Sequence, residues 1–144
     1  MDNKKYGRVL AVDYGDVRTG LAVSDVTRFL AGGIGTIRPG GMRNTAEAVA
    51  KEAAKQEAVE IVVGLPKNMD GSEGFRAETV RAFAELLKEY TSLPILFEDE
   101  RLTTMEAHRF LTMTETGGQK RKKVIDTLSA EIILQGYLDR TRNK

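Results

Sequence analysis

The 144-residue sequence contains no cysteine and no tryptophan, three prolines and one histidine. Without cysteine there is no disulfide framework and no thiolate metal site. Aromatic residues make up 6% of the chain, so an aromatic platform for stacking single-stranded nucleic acid is not expected. No apolar run approaches the ~18 residues of a membrane-spanning helix. The stretch Met1–Tyr6 is polar, so no signal peptide is expected. A cytoplasmic location is the default expectation, with no membrane partner. Charge of neither sign dominates: the formal net charge is +1. Bulk charge therefore does not mark a nucleic-acid binder, but its distribution is uneven. Gln119, Lys120, Arg121, Lys122 and Lys123 form a basic cluster, and Arg140, Arg142 and Lys144 follow at the C-terminus.

What is present suits one globular domain. The hydrophobic fraction is 41% and the charged fraction 30%, and the length can enclose one sizeable core. Val9–Val12 is a short apolar run that leads into Asp13 and Gly15, the pattern of a buried strand ending at a turn. Gly20–Asp25 reads as a second strand, antiparallel to the first through a tight hairpin. Residues 28–39 form a third, weaker strand, ended by Pro39, Gly40 and Gly41. Asn44 and Glu47 have the spacing of a capping box, which predicts a helix from there to about Gln56. Ile61–Pro66 is a buried parallel strand, Lys67–Gly74 a polar loop, and Phe75–Tyr90 a long helix. Pro94–Phe97 opens a third buried strand, which runs into Glu98, Asp99, Glu100 and Arg101. Thr103 and Glu106 make a second capping box, for a helix to about Leu111. Residues 112–123 read as a mobile loop, and Val124–Leu138 as a largely buried final helix. The expected fold is α/β: one mixed five-stranded sheet, an antiparallel meander plus parallel strands, with helices on both faces.

Ligands of such sheets bind beyond the carboxyl ends of the parallel strands. Asp13 and the Glu98–Glu100 group fall at strand ends, and Asp126 opens the final helix. Each also has a plain structural account. Asp13 could cap its turn, Glu98–Arg101 could be a solvated strand end, and Asp126 could answer a helix dipole. If three such acids converge, they suit hard divalent cations, which take carboxylate and phosphate oxygens. Two ions ~4 Å apart can activate a water and stabilise the leaving oxygen of a phosphodiester. Lys120–Lys123 would then be well placed to hold phosphates. His108, inside a helix, has no assigned role, and Met105 and Met113 read as packing residues. The glycines near Gly15 and Gly20 do not form a Walker loop, because no Gly-Lys-Ser/Thr follows.

Four segments together resemble the YqgF family of RNase H-like proteins, described as Holliday-junction-resolvase-like and as pre-16S rRNA nucleases. They are Val12-Asp13-Tyr14-Gly15 with Arg18, Gly20, Ala22, Ser24 and Asp25; Val63-Gly64-Leu65-Pro66-Lys67-Asn68-Met69-Asp70-Gly71; Asp99-Glu100-Arg101-Leu102-Thr103-Thr104; and Lys122-Lys123-Val124-Ile125-Asp126 leading to Ala130. They occur in the family's order and cover almost the whole chain. The resemblance implies a single RNase H-like nuclease domain over residues 1–144. Its expected activity is metal-dependent hydrolysis of structured nucleic acid, foremost the 5′ end of pre-16S rRNA in ribosome biogenesis. The family's acidic triad falls on Asp13, the Asp99-Glu100 pair and Asp126. Glu100 is the chosen catalytic member of the pair, with Asp99 not excluded as a ligand. Glu131 is a candidate fourth acid. The expected cofactor is Mg²⁺ or Mn²⁺ in a two-metal site, with Asp13 shared between the ions. Lys67, Asn68, Arg101, Lys120, Arg121, Lys122 and Lys123 are the expected substrate-binding residues. The expected partners are pre-rRNA, branched DNA or ribosomal particles, met by a monomer or a homodimer. Three alternatives remain open. They are a Holliday-junction DNA resolvase, a non-catalytic nucleic-acid-binding maturation factor on the same fold, and an actin-like nucleotide-binding fragment.

Overall fold

The structure, a computed structural model, describes the backbone of residues 6–102 and 118–142 and the side chains of residues 6–101 and 127–142. The elements are β1 (Arg8–Asp13), β2 (Thr19–Ser24), β3 (Ala31–Ile37), α1 (Met42–Lys55), β4 (Ala58–Leu65), α2 (Phe75–Leu87), β5 (Ile95–Asp99), a 3₁₀ turn (Glu100–Leu102) and α3 (Gly118–Arg142). The five strands form one sheet in the order β3-β2-β1-β4-β5. β1, β2 and β3 pair antiparallel, while β4 and β5 run parallel to β1. This is the mixed sheet that the hydrophobic runs predict.

Strand alternation divides the core into two layers. Leu10, Val12, Leu21, Ile61, Val63 and Leu65 face α1 and α2, where Phe83 is fully buried and stacks on Tyr14 at 4.4 Å between ring centroids. Val9, Ala11, Ala22 and Val62 face α3, through Ala130, Ile133, Leu134, Tyr137 and Leu138. α3 lies on a floor of small residues. A Cβ built on Gly33 would come within 2.6 Å of Thr127 Cγ2, and one on Gly64 within 2.4 Å of Ile133 Cδ1.

Ser24 and Asp25 hold the far end of the sheet. Ser24 Oγ accepts the Val9 N–H at 2.9 Å. Asp25 Oδ1 accepts the N–H groups of Phe29 and Leu30, each at 2.9 Å, and its other oxygen takes the Thr27 hydroxyl. These bonds, led by that from the Leu30 N–H, pull the Asp25 carboxyl down to about 2. Arg28 and Glu60 form a buried ion pair at 2.8 Å, and the Tyr137 hydroxyl donates to the same Glu60 oxygen at 2.8 Å. Burial, then the bond to Glu60, raises the Tyr137 phenol.

Four sequence expectations are corrected. Asn44 does not cap α1: the N-cap is Gly41, and Asn44, inside the first turn, donates from Nδ2 to the Gly40 carbonyl. The glycine pair reaches the required backbone more readily, with φ of 78° at Gly40 and 86° at Gly41. α2 ends at Leu87, with Lys88–Tyr90 a turn, rather than running to Tyr90. β5 is an edge strand and mostly half-buried, where its apolar run predicts full burial. The last helix starts at Gly118, so Lys120–Lys123 lie in helix and not in a loop. The helix expected from Thr103 to Leu111, with Met105, His108 and also Met113, falls outside the described residues.

Two outcomes test this account. Phe83→Ala should cost about 3–5 kcal/mol of unfolding free energy by denaturant titration, because it leaves a cavity under Tyr14. Asp25→Ala should change the acid dependence of stability. A carboxyl lowered on folding stabilises above its unfolded pKa, and that gain is lost as pH falls towards about 2. The variant should be less stable at pH 7 and lose less between roughly pH 4 and 2.

Candidate nuclease site

The carboxyl ends of β1, β4 and β5 meet on one rim of the sheet. Register fixes the neighbours: Val12 pairs with Val63, Gly64 with Glu98, and Leu65 with Asp99. Alternation then sorts the acids. Val9 and Ala11 face α3, so Asp13, two residues further on, belongs to the α3 side. Leu96 also packs on the α3 side, and Glu98 pairs there with Arg140 of α3. Phe97 packs on the α2 side, and Asp99 follows it there. Glu100 returns to the α3 side. Its Oε2 lies 2.9 Å from where a Cβ on Gly64 would be, so the carboxylate sits over a glycine that borders β1. Asp13 and Glu100 thus share a face, and Asp99 is on the other.

Asp99 is engaged elsewhere. Arg101 grips it, Nη2 to Oδ2 at 2.7 Å, and this bond holds the Asp99 carboxyl below its usual range. Arg101 Nη1 also donates to the Met69 carbonyl at 3.2 Å. Asn68 Nδ2 donates to Ser72 Oγ at 2.9 Å, and Asp70 Oδ1 accepts the Ser72 N–H at 2.9 Å. Arg101 and Asn68, both expected to bind substrate, shape the 67–74 loop and tie it to β5. Lys67 leaves the end of β4 on the same loop and contributes to lowering Asp99 and Glu73.

Asp126 lies in α3 one turn before Ala130 and two before Ile133, both fully buried against the sheet; its side chain is outside those described. The side chains of Lys120, Arg121, Lys122 and Lys123 are likewise outside. Among the described residues no three potential ligands cluster to hold a metal. The donor set is nonetheless chemically apt. Asp13 and Glu100 are carboxylates, the hard oxygen donors that Mg²⁺ and Mn²⁺ take. Glu131, the candidate fourth acid, has Oε1 within 2.8 Å of a Cβ built on Gly33, over edge strand β3 and away from Asp13.

An open cleft of about 250 Å³ adjoins Asp13, lined by residues 13–18 and by Arg76 of α2. Sequence reasoning gives Arg18 and Arg76 no function. Arg76 sits on a helix with an ordinary amphipathic pattern, so only the docking of α2 beside the β1–β2 turn reveals it. Gly64 reads in the sequence as part of a motif; the space it leaves for Glu100 becomes visible only with the register. Burial, then nearby Asp16, raises the Tyr14 phenol at this edge.

Comparisons with known proteins agree with this architecture. Residues 7–140 match the family described as RuvX: Holliday junction resolvase. A protein of Caldanaerobacter subterraneus subsp. tengcongensis named "Putative pre-16S rRNA nuclease" is 47% identical over 137 residues, covering 94% of this chain and 99% of its own. One of the same name from Clostridioides difficile is 45% identical over 133 residues, covering 92% and 94%. Among solved structures, T. thermophilus RuvC in complex with a Holliday junction substrate superposes with a TM-score of 0.57 at 13% identity, over 94% of this chain and 96% of RuvC. That likeness shows a shared RNase H-like fold. With the family matched along nearly its whole length and near-full-length relatives at this identity, the chain belongs to the RuvX family.

Proposed function

We propose that this chain is a single-domain, metal-dependent nuclease that hydrolyses phosphodiester bonds in structured nucleic acid, with the 5′ end of pre-16S rRNA as its substrate. The observation that carries the reading is the shared face of Asp13, at the end of β1, and Glu100, just after β5, on either side of β4, whose Gly64 is left bare beneath the second carboxylate. The names of the near-full-length relatives point to the same substrate.

Asp13, Glu100 and Asp126 would hold Mg²⁺ or Mn²⁺, which when bound activates a water and stabilises the leaving oxygen. The rest falls to the chain. Val9–Val12 of β1 are fully buried, so the backbone that carries Asp13 is firmly placed. Lys120–Lys123, in the first turns of α3, supply salt-dependent attraction for phosphates. Lys67 adds a positive charge at the end of β4. Arg101 and Asn68 act as positioning residues, by holding the loop rather than the substrate.

The family's description supports a second reading, cleavage of branched DNA. One assay separates the two: a 5′-extended rRNA precursor and a four-way DNA junction are each incubated with the protein and Mg²⁺ or Mn²⁺. Cleavage of the precursor is expected. Cleavage of the junction alone would favour the second reading, and binding without cleavage of either would overturn nuclease activity.

Substitutions refine the test. Asp13→Asn and Glu100→Gln should each reduce cleavage by more than the roughly 10–100-fold that loss of a supporting group costs. Asp99→Asn should fall within that supporting range. Gly64→Ala forces Ile133 or Glu100 to move, so cleavage should drop while denaturant titration shows a loss of only about 1–3 kcal/mol.

A further inference from the structure

Two large apolar side chains at the two ends of the 69–75 loop stand in solvent. Met69 is 88% exposed and Phe75 is 80% exposed. The loop between them is closed by its own bonds: Asn68 N–H donates to the Ser72 carbonyl at 2.9 Å, and Gly71 N–H to the Asn68 carbonyl at 2.9 Å. Asn68 also lies against Gly74, with Nδ2 3.7 Å from where a Cβ would be, so Met69 and Phe75 leave the loop from neighbouring points. Arg101, in the 3₁₀ turn after β5, donates to the Met69 carbonyl. Apolar groups held out by an ordered backbone are a usual mark of a binding surface.

Phe75 borders a small hollow with Tyr14, Gly15, Asp16 and Arg76. Those four residues also line the cleft beside Asp13. Arg76 makes no ion pair or hydrogen bond among the described residues, whereas the next arginine on the helix, Arg81, is held by Glu73. An exposed ring, an uncommitted guanidinium and a carboxylate cleft thus occur in sequence along one edge. Their chemistry matches one nucleotide: a flat apolar base, a phosphate, and the neighbouring phosphodiester.

We propose that Phe75, with Met69 beside it, is a stacking platform for an unpaired nucleobase next to the bond to be cut, and that Arg76 holds the phosphate joining them. The proposal rests on the nuclease reading and adds to it the form of the substrate, a helix that opens into unpaired nucleotides at the cleavage site. The scarcity of aromatics in the composition does not bear on this, because a single ring at the rim suffices.

Binding is measured without added metal and in EDTA, so cleavage plays no part. The probes are an RNA hairpin with a 5′ single-stranded extension and a blunt RNA duplex of the same stem. Phe75→Ala should weaken binding of the extended hairpin by about tenfold and leave the blunt duplex unchanged. Phe75→Trp should retain binding. Because the chain has no tryptophan of its own, indole emission from the Phe75→Trp variant reports that position alone and should be quenched by the extended hairpin only. Arg76→Gln should lower the salt slope of binding to the extended hairpin by about one. Equal affinity of Phe75→Ala and parent for the extended hairpin, or unchanged emission from Phe75→Trp at saturation, would overturn the platform. Absence of cleavage by the parent protein with metal restored would instead count against the nuclease reading, and leaves these binding results to stand.

Discussion

The structure depends on how closely α3 approaches the sheet. A helix can lie near a sheet only where the sheet offers little side-chain volume, and here the floor is Ala11, Ala22, Gly33 and Gly64. Ala130 and Ile133 fill the remaining space and are fully buried. Side chains packed at this density cannot shift independently. The backbone at position 126 is thereby set relative to the end of β1, although the two are far apart in sequence. The Arg28–Glu60–Tyr137 network pins the other end of α3 to β4 and to the turn after β2. Helix and sheet are therefore packed together from Thr127 to Leu138 of α3.

Much of this is legible in the residues. Val9–Val12, Ile61–Val63 and the apolar faces of α1 and α2 have periods that allow one answer each, and the mixed sheet follows from them. The misses have physical causes. Asn44 has the spacing of a cap, but Gly40 and Gly41 reach a positive φ at lower cost and start the helix three residues earlier. The basic run 120–123 has loop-like composition, and it joins α3 in spite of it. At the site, the types of residue are readable, and their grouping is not. Whether Asp99 or Glu100 joins Asp13 depends on strand register, which is a tertiary property. Asn68 and Arg101 also hold the 67–74 loop, a role the sequence does not display, because polar loop residues serve structure and substrate with the same groups.

Charge on the rim is partitioned. On the α2 side Asp99 is neutralised by Arg101, and Glu73 by Arg81. On the α3 side Glu98 is spent on Arg140. Asp13 and Glu100 remain at the edge, on the face that α3 covers. Glu98, Asp99 and Glu73 thus each have a cation from the fold itself, which limits the negative charge they add to the rim.

Alternation along β5 and into its 3₁₀ turn has one more effect. Glu98, Asp99 and Glu100 are chemically near-identical neighbours, yet one is tied to α3, one to a loop and one stands over Gly64. Identity is thus conferred by parity and not by chemistry. A single inserted residue before Glu98 would preserve every side chain and shift each to the opposite face, moving Asp99 into the place of Glu100 and Glu98 into the place of Asp99 at the clamp. Point changes within this trio can be graded by size and charge, whereas a change in its length cannot, so the span from Ile95 to Glu100 should tolerate substitution far better than insertion or deletion.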